Sequence, residues 1–538
     1  MRAKSNSPSP AQRQVQAGAP KSKFLSVLKL QILSAVLCFE VVGIALLVTS
    51  HAATPVVAFE AESGSLIGAS PVTDSSASGG AAIRFGSGQT SGLTPTMTAS
   101  VDGSIKYQTM DGLGAAINVH SWNNGALKPA LDMLIDGNGT KIFRVVMEMT
   151  DWETTNDASN SNTYNWNYYN PIYSGATSYD TAESGSNFSD LWNVIDYLHL
   201  KHVPDSQIAL SFMGIGPSWM GTLTPDSRGG TKYVLTPGNE NEWAEMIASA
   251  AYYGYSHGHT FGIISPDNEV DWSYHEGITM TPSQWALAMN DLNTKLNALG
   301  GMSSVRFLGP ESSGSNPIST EDALAAYPAA MARLDDFDGH NYGPANPAGP
   351  TQAATYGKGF WTSEFSDVQG YGIDHLNAGS TGLIMWDGYD AIYNHAELNN
   401  YGNLPGNDKG PQGALIQYVT ASKTYVPRKS FYQFGQLSKY TEPGTRRVST
   451  ISSNSAMQLV SFIHPTDNSL TIVGQNTTSS TQVIGGTLKN APANSVLHYS
   501  QTTTTDNMKA GADVIVTNGT FKVSIPAGAM FTLTTLPL

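Results

Sequence analysis

The chain has a single cysteine in 538 residues, Cys38. It lies in an apolar run from Leu30 to Val48, so the sequence beyond it can form neither disulfides nor thiolate metal sites. Charge is also scarce, at 13% of residues, and leans acidic. Setting aside residues 1–52, with six basic side chains and Glu40, leaves 22 basic against 42 acidic groups, a net charge of −20. Such a surface repels nucleic acid and anionic lipid and excludes both as partners. The nucleotide signatures are missing as well. Gly112-x-Gly114 lacks the third glycine and the acidic partner of a dinucleotide fold, and there is no P-loop and no G-x-S-x-G elbow. His257-Gly258-His259 falls in a helix-end loop and reads as a solvated pair. The expectation is therefore no cofactor and no metal.

The apolar run follows a basic segment (Arg2, Lys4, Arg13, Lys21, Lys23, Lys29) and ends near Ser50-His51-Ala52, a small-x-small pattern. Residues 1–23 read as a basic cytoplasmic N-terminus and 24–52 as a signal peptide or an uncleaved membrane anchor. Either way the positive flank places the remainder outside the cytoplasm, secreted or anchored. Residues 53–95 are rich in Gly, Ser, Ala and Thr and read as a linker.

From 112 to 389, strand-like and helix-like segments alternate. The strand candidates are 112–118, 141–148, 207–214, 260–265, 305–309, 337–342, 359–363 and 382–386. Eight such strands, each followed by a helix, make the closed parallel barrel of the (β/α)8 fold, here assigned to 96–425. Helical spacing marks Leu191, Trp192, Val194, Ile195 and Leu198, then Trp243, Met246, Ile247 and Ala250, with a last helical pattern near Gln417. Thr281-Pro282-Ser283-Gln284 is a capping box opening another helix. Asn and Gly crowd 150–185, which reads as a long loop on the active face. From 426 to 538 short alternating runs separated by turn residues predict an antiparallel β-sandwich. Residues 97–106 should pair with that module, and Phe431-Tyr432-Gln433-Phe434 offers aromatics to bury where it joins the barrel.

Two strings carry the chemistry. Ser265-Pro266-Asp267-Asn268-Glu269 and Trp361-Thr362-Ser363-Glu364 each put a glutamate at the end of a strand, 95 residues apart. Two carboxyl groups converging at a barrel mouth are the minimum apparatus for cleaving a glycosidic bond. Glu311, in Gly309-Pro310-Glu311, is a rival carboxylate at the end of the fifth strand.

Taken together, these features resemble glycoside hydrolase family 30, within the large clan of retaining (β/α)8 hydrolases. Gln108-Thr109-Met110-Asp111-Gly112-Leu113-Gly114-Ala115-Ala116 is similar to the family's opening strand. Ser265–Glu269 resembles its acid/base motif, with Asp267 for Gln and Val270 for the following Pro. Lys429–Tyr440 resembles its entry into the C-terminal sandwich. The resemblance implies an exported hydrolase of β-linked glycans acting by double displacement, with Glu269 as acid/base and Glu364 as nucleophile. It further implies that Asn268 bonds the sugar 2-hydroxyl, that Arg144 orients Glu364, and that His340 and Tyr342 border the site. Trp219 and Trp386 would stack on sugar faces, with Trp152, Trp272 and Tyr389 as weaker candidates. The family's substrates range over glucosylceramide, β-1,6-glucan, β-1,6-galactan, xylan and fucosides. A shorter resemblance, at Phe59–Glu62 and Ala77–Gly80, is to carbohydrate-binding modules of families 6 and 35. The partner expected is an oligo- or polysaccharide, and the protein is expected to be a monomer. The competing class is a cell-surface glycan-binding protein that has lost catalysis.

Overall fold

The computed structural model describes residues 69–73, 81–85 and 92–538, apart from 159, 174–187, 227–229, 273–276, 315–316, 391–413 and 420–421. The basic N-terminus, the apolar run and both carbohydrate-binding-module-like strings lie outside the described residues. Among the described residues no helix is long and apolar enough to cross a membrane. Ala69–Thr73 and Ala81–Phe85 pair as a two-stranded sheet.

Eight parallel strands close into a barrel: β1 (Gly112–Asn118), β2 (Ile142–Glu148), β3 (Ile208–Met213), β4 (Ile263–Ser265), β5 (Arg306–Ser312), β6 (Leu334–His340), β7 (Gly359–Phe365) and β8 (Gly382–Met385). Each expected strand is present, the first with the expected ends and the others with one or both ends shifted. The fourth is the shortest, three residues, and Gly262 just before it already bonds to Ile208 of β3 and Arg306 of β5. Side chains alternate along a strand, so residues two apart share a face. Ala116, Ile142, Ala209, Ile263, Leu308, Trp361 and Ile384 fill the barrel interior as one apolar layer. Two residues further along β2, β3 and β4 the inward positions turn polar: Arg144, Ser211 and Ser265, all fully buried. Gly114 permits this tight closure, since a Cβ there would lie 2.3 Å from the carbonyl oxygen of Ile142.

The capping box closes as expected over the helix Pro282–Leu299. Elsewhere helical content exceeds the sequence reading. The stretch 150–185 is not one loop, because Trp166–Tyr173 is helical and presses Trp166 and Tyr169 against Tyr252, Tyr253 and Trp152. Gln417 lies not in a helix but in the strand Ile416–Val419, paired with Thr424–Pro427 apart from both larger sheets.

After the barrel comes a helix, Lys429–Ser438, and the first strand that the β-module takes from this side of the barrel is Arg446–Ser452, too polar to show an apolar alternation. Met97–Thr109 pairs antiparallel with Arg446–Ser452 and parallel with Gln482–Lys489, so the sheet borrows a strand from ahead of the barrel and is mixed rather than wholly antiparallel. It curls around Val101, Val448, Ile472, Leu497, Val523 and Phe531.

The helix Lys429–Ser438 makes the join. Its Phe431, Phe434 and Leu437 are buried in the same cluster as Leu134 of the barrel layer and Val460, Val473 and Met530 of the β-module. Gln436 donates to Ser500 and Thr502, and Ser438 donates to the carbonyl of Asn138. Each aromatic buries roughly 150–250 Å² that would return to water if the modules parted. Met97–Thr109 would also lose its partners and become an open edge. Deletion of residues 440–538 is accordingly expected to give insoluble protein, and recovery of a soluble, active 96–439 fragment would show the join to be dispensable.

Candidate active site

Arg144 is the hub at the C-terminal end of the barrel. It is fully buried, and each nitrogen has a partner: Nε donates to Ser211 Oγ at 3.0 Å, Nη1 to Glu364 Oε1 at 2.5 Å, and Nη2 to Asn268 Oδ1 at 2.7 Å and to Glu311 Oε2. The carboxylates surrounding it raise its pKa further, against the opposing effect of burial. Its charge is therefore permanent.

Three glutamates converge here, but not equivalently. Glu311 is wholly enclosed, accepting from Ser265, Arg144 and His340 Nε2 (3.4 Å). Burial alone would raise its pKa; the positive charge of Arg144, then His340, outweighs that and holds the carboxyl below its usual range. Glu364 receives Arg144 on one oxygen and Tyr342 Oη at 2.6 Å on the other. Glu269 has His340 Nδ1 at 3.0 Å and is the most open, its side chain 15% exposed against 6% for Glu364.

The same Nδ1 lies 3.2 Å from Glu364 Oε2. One imidazole nitrogen thus spans both glutamates, and a carboxylate oxygen of each lies within 4.8 Å of the other. Burial disfavours the charged imidazole, but Glu364, Glu269 and Glu311 prevail and push the His340 pKa up to about 10. The ring therefore favours its protonated form at neutral pH, and Glu269, His340 and Glu364 also have the donor types and spacing of a metal site.

Irregularities in the ladder aim these groups. The β5–β6 register slips between Gly309 and Ser312, β6–β7 between Gly339 and His340, and β7–β8 between Thr362 and Phe365. Each slip re-aims side chains at a strand end, as bulges beside functional sites do. Glu269 and Glu311 also hold φ of 48° and 49°, the left-handed region, which costs a non-glycine residue on the order of 1 kcal/mol or more.

The residues expected from sequence are partly brought together. Asn268 and Arg144 lie side by side, and Trp386 faces the Arg144 guanidinium at 5.7 Å. Tyr342 is 46% exposed as a residue while its hydroxyl reaches Glu364; burial of that hydroxyl, then Glu364, raises its pKa and keeps it a donor. Arg144, expected to orient Glu364, donates to it, and both Arg144 and His340, the latter expected to border the site, are fully enclosed. Trp219 is half-buried, with its indole donating to the carbonyl of Glu153, and it makes no ring contact or hydrogen bond with the glutamates. Trp152 and Tyr389 are core residues, and Trp272 is exposed. Sequence reasoning missed the supports: Ser211 and Ser265, Asp338, which accepts from the Glu311 amide at 2.6 Å, and Asp267, whose carboxyl takes the amides of Asn268 and Ile278 and whose pKa burial raises. Their inward position on strand ends is the signal that could have found them.

With this geometry in view, solved structures give a consistent answer. The chain is similar to a family 30 endoxylanase from Clostridium papyrosolvens (20% identity, TM-score 0.59, covering 82% of this chain and 100% of that one). It is also similar to the catalytic domain of family 30 xylanase C from Talaromyces cellulolyticus (16%, TM-score 0.60, 82% and 100%) and to an endo-β1,6-glucanase (16%, TM-score 0.56, 82% and 94%). The fold is that of glycoside hydrolase family 30. No protein-family model matches the sequence, and no curated protein is similar to it in sequence.

The raised His340 pKa has a consequence for stability. A group bound more tightly to its proton when folded stabilises fully below its unfolded pKa of 6.5, and that contribution is lost as pH rises toward about 10. The stability difference between wild type and His340→Gln should therefore shrink across this window, by at most about 1.4 kcal/mol per pH unit. Denaturant unfolding at stepped pH checks this; a difference independent of pH would mean that the histidine is neutral.

Proposed function

We propose that this protein is an exported, retaining β-glycoside hydrolase, with Glu364 as nucleophile and Glu269 as general acid/base. The observation that carries the reading is the convergence of the two carboxyl groups within 4.8 Å across His340 Nδ1. Retaining enzymes hold their pair about 5–5.5 Å apart, whereas inverting enzymes need about 6.5–9.5 Å to admit a water.

Environment divides the roles. Glu364 receives two strong donors, Arg144 and Tyr342, which fix it as an aimed carboxylate. Glu269 has one partner and more exposure, as suits a group that must reach the leaving oxygen and later a water. Glu311 has no exposed surface and serves as the counterion behind Arg144.

In the first step a Glu364 oxygen bonds to the anomeric carbon as the glycosidic bond breaks, and the Glu269 proton passes to the departing oxygen. In the second, Glu269 takes a proton from water, and the water oxygen displaces Glu364. Negative charge thus moves from Glu364 to Glu269 and back. His340 Nδ1, within 3.2 Å of both, faces that charge at either end. Asn268, Tyr342, Trp386 and Trp219 are assigned to the sugar. The basic segment and apolar run at the N-terminus support export, and xylan and β-1,6-glucan are the first substrates to try.

Aryl β-glycosides and these polysaccharides test the reading. Wild type should turn over at least one of them, and Glu269→Ala and Glu364→Ala should each lose about 10²–10⁴-fold or more in kcat/KM. With azide added, Glu269→Ala should yield the β-glycosyl azide and Glu364→Ala the α-azide. The opposite pairing would exchange the two roles, and absence of turnover by wild type on the whole panel would favour the glycan-binding class.

A further inference from the structure

A second carboxylate cluster lies outside this site. Glu153 and Asp157 follow the short helix Met149–Trp152 after β2, and Glu245 stands on the helix Glu240–Ser256 after β3. One carboxylate oxygen from each lies within 4.8 Å of the others. Glu153 and Glu245 are both fully buried. Acidity alone would mean little, but the hydrogen bonding is incomplete in a specific way. Glu153 Oε1 accepts from the Asp157 amide at 3.0 Å, and Glu245 Oε1 from Tyr169 Oη at 3.2 Å. The second oxygen of each, Glu153 Oε2 and Glu245 Oε2, is buried with no hydrogen-bond partner. A native interior leaves few polar atoms in that state, and two within one cluster call for a ligand that presents positive charge to both.

Among the described residues no cation hydrogen-bonds to these oxygens: buried Lys295, whose charge is felt at Glu245, gives its ammonium to Ser161 O and to Asn162 Oδ1 at 3.3 Å. Burial, and then the neighbouring carboxylates, push the acids up to about 8 for Glu153 and about 9 for Glu245. An all-oxygen, carboxylate-rich set suits a hard divalent cation. Calcium, with ligands at about 2.3–2.6 Å and a tolerant geometry, bridges oxygens spread over this range, whereas magnesium demands a tighter octahedron.

We propose that Glu153, Asp157 and Glu245 form a calcium site that clips the insertion after β2 to the helix after β3. Three carboxylates against Lys295 and one divalent ion balance in charge. The insertion is also held by aromatic contacts, Trp152 on Tyr169 at 4.9 Å and Trp166 beside Tyr253, and by hydrogen bonds such as Trp152 to Ser249 and Lys295 to Asn162. Since the Trp219 indole donates to the Glu153 carbonyl at 3.1 Å, the ion would also steady a tryptophan assigned above to sugar binding. The site itself does not depend on that assignment.

The test uses the full chain, stripped with EDTA and titrated with calcium chloride or magnesium chloride. Calorimetry should find one calcium per chain, and saturating calcium should raise Tm by about 2 °C or more. Glu245→Gln and Glu153→Gln should each abolish the heat and the Tm shift, while Glu442→Gln, at a surface ion pair with Lys141, should leave both unchanged. If wild type shows neither heat nor shift, or if the two cluster variants respond as wild type does, the site is not one. A magnesium response equal to that of calcium would overturn the choice of ion.

Discussion

The enclosure of Arg144 inside the barrel governs everything at its open end. A guanidinium removed from water costs several kcal/mol unless it is paired and hydrogen-bonded. Here it is satisfied by Ser211, Asn268, Glu311 and Glu364 together. The arrangement is mutual: with Arg144 absent, Glu311 would be a buried charge balanced by His340 alone, and Glu364 would lose the donor that aims it. Two cations, Arg144 and His340, face three glutamates, which leaves one negative charge, or none when Glu269 carries its proton. Such a cluster can pass charge between Glu364 and Glu269 without building up a net charge in a low-dielectric interior.

Supporting this layer is a barrel whose apolar floor ends two residues below it. Ile142 gives way to Arg144, Ala209 to Ser211 and Ile263 to Ser265. The polar layer cannot sink into the core, and the register slips in β5, β6 and β7 fall beside Glu311, His340 and Glu364 at the strand ends. At the other end, Gln108 links barrel to β-module, donating to the carbonyls of Leu376 and Ser380 and accepting from Arg447. One polar side chain in the opening motif thus fastens the borrowed strand to both halves.

How much of this the sequence disclosed follows from what each feature depends on. The barrel strands were legible because buried parallel strands are nearly continuous apolar runs. Glu269 and Glu364 were legible because they end such runs. Arg446–Ser452 was not, since few of its side chains are buried, and Trp166–Tyr173 was not, because asparagines and Pro171 interrupt its periodicity. The place of Glu311, behind Arg144 rather than at the mouth, depends on a register slip that no local pattern announces. Nor could sequence tell that His340 would span both glutamates, which needs β4, β6 and β7 in three dimensions. Glu245 had a visible signal: it shares a helix face with buried neighbours, and a carboxylate on such a face implies a partner.

The central claim is that Glu364 and Glu269 stand at the spacing of double displacement rather than single displacement. It is tested most directly by following the anomeric proton of the first sugar released from a β-linked substrate, by NMR at early times before mutarotation. The account predicts the β-anomer first, with the α-anomer growing only at the rate of mutarotation. An initial α-anomer would mean a water attacks directly, and would contradict both the assigned nucleophile and the reading of this geometry.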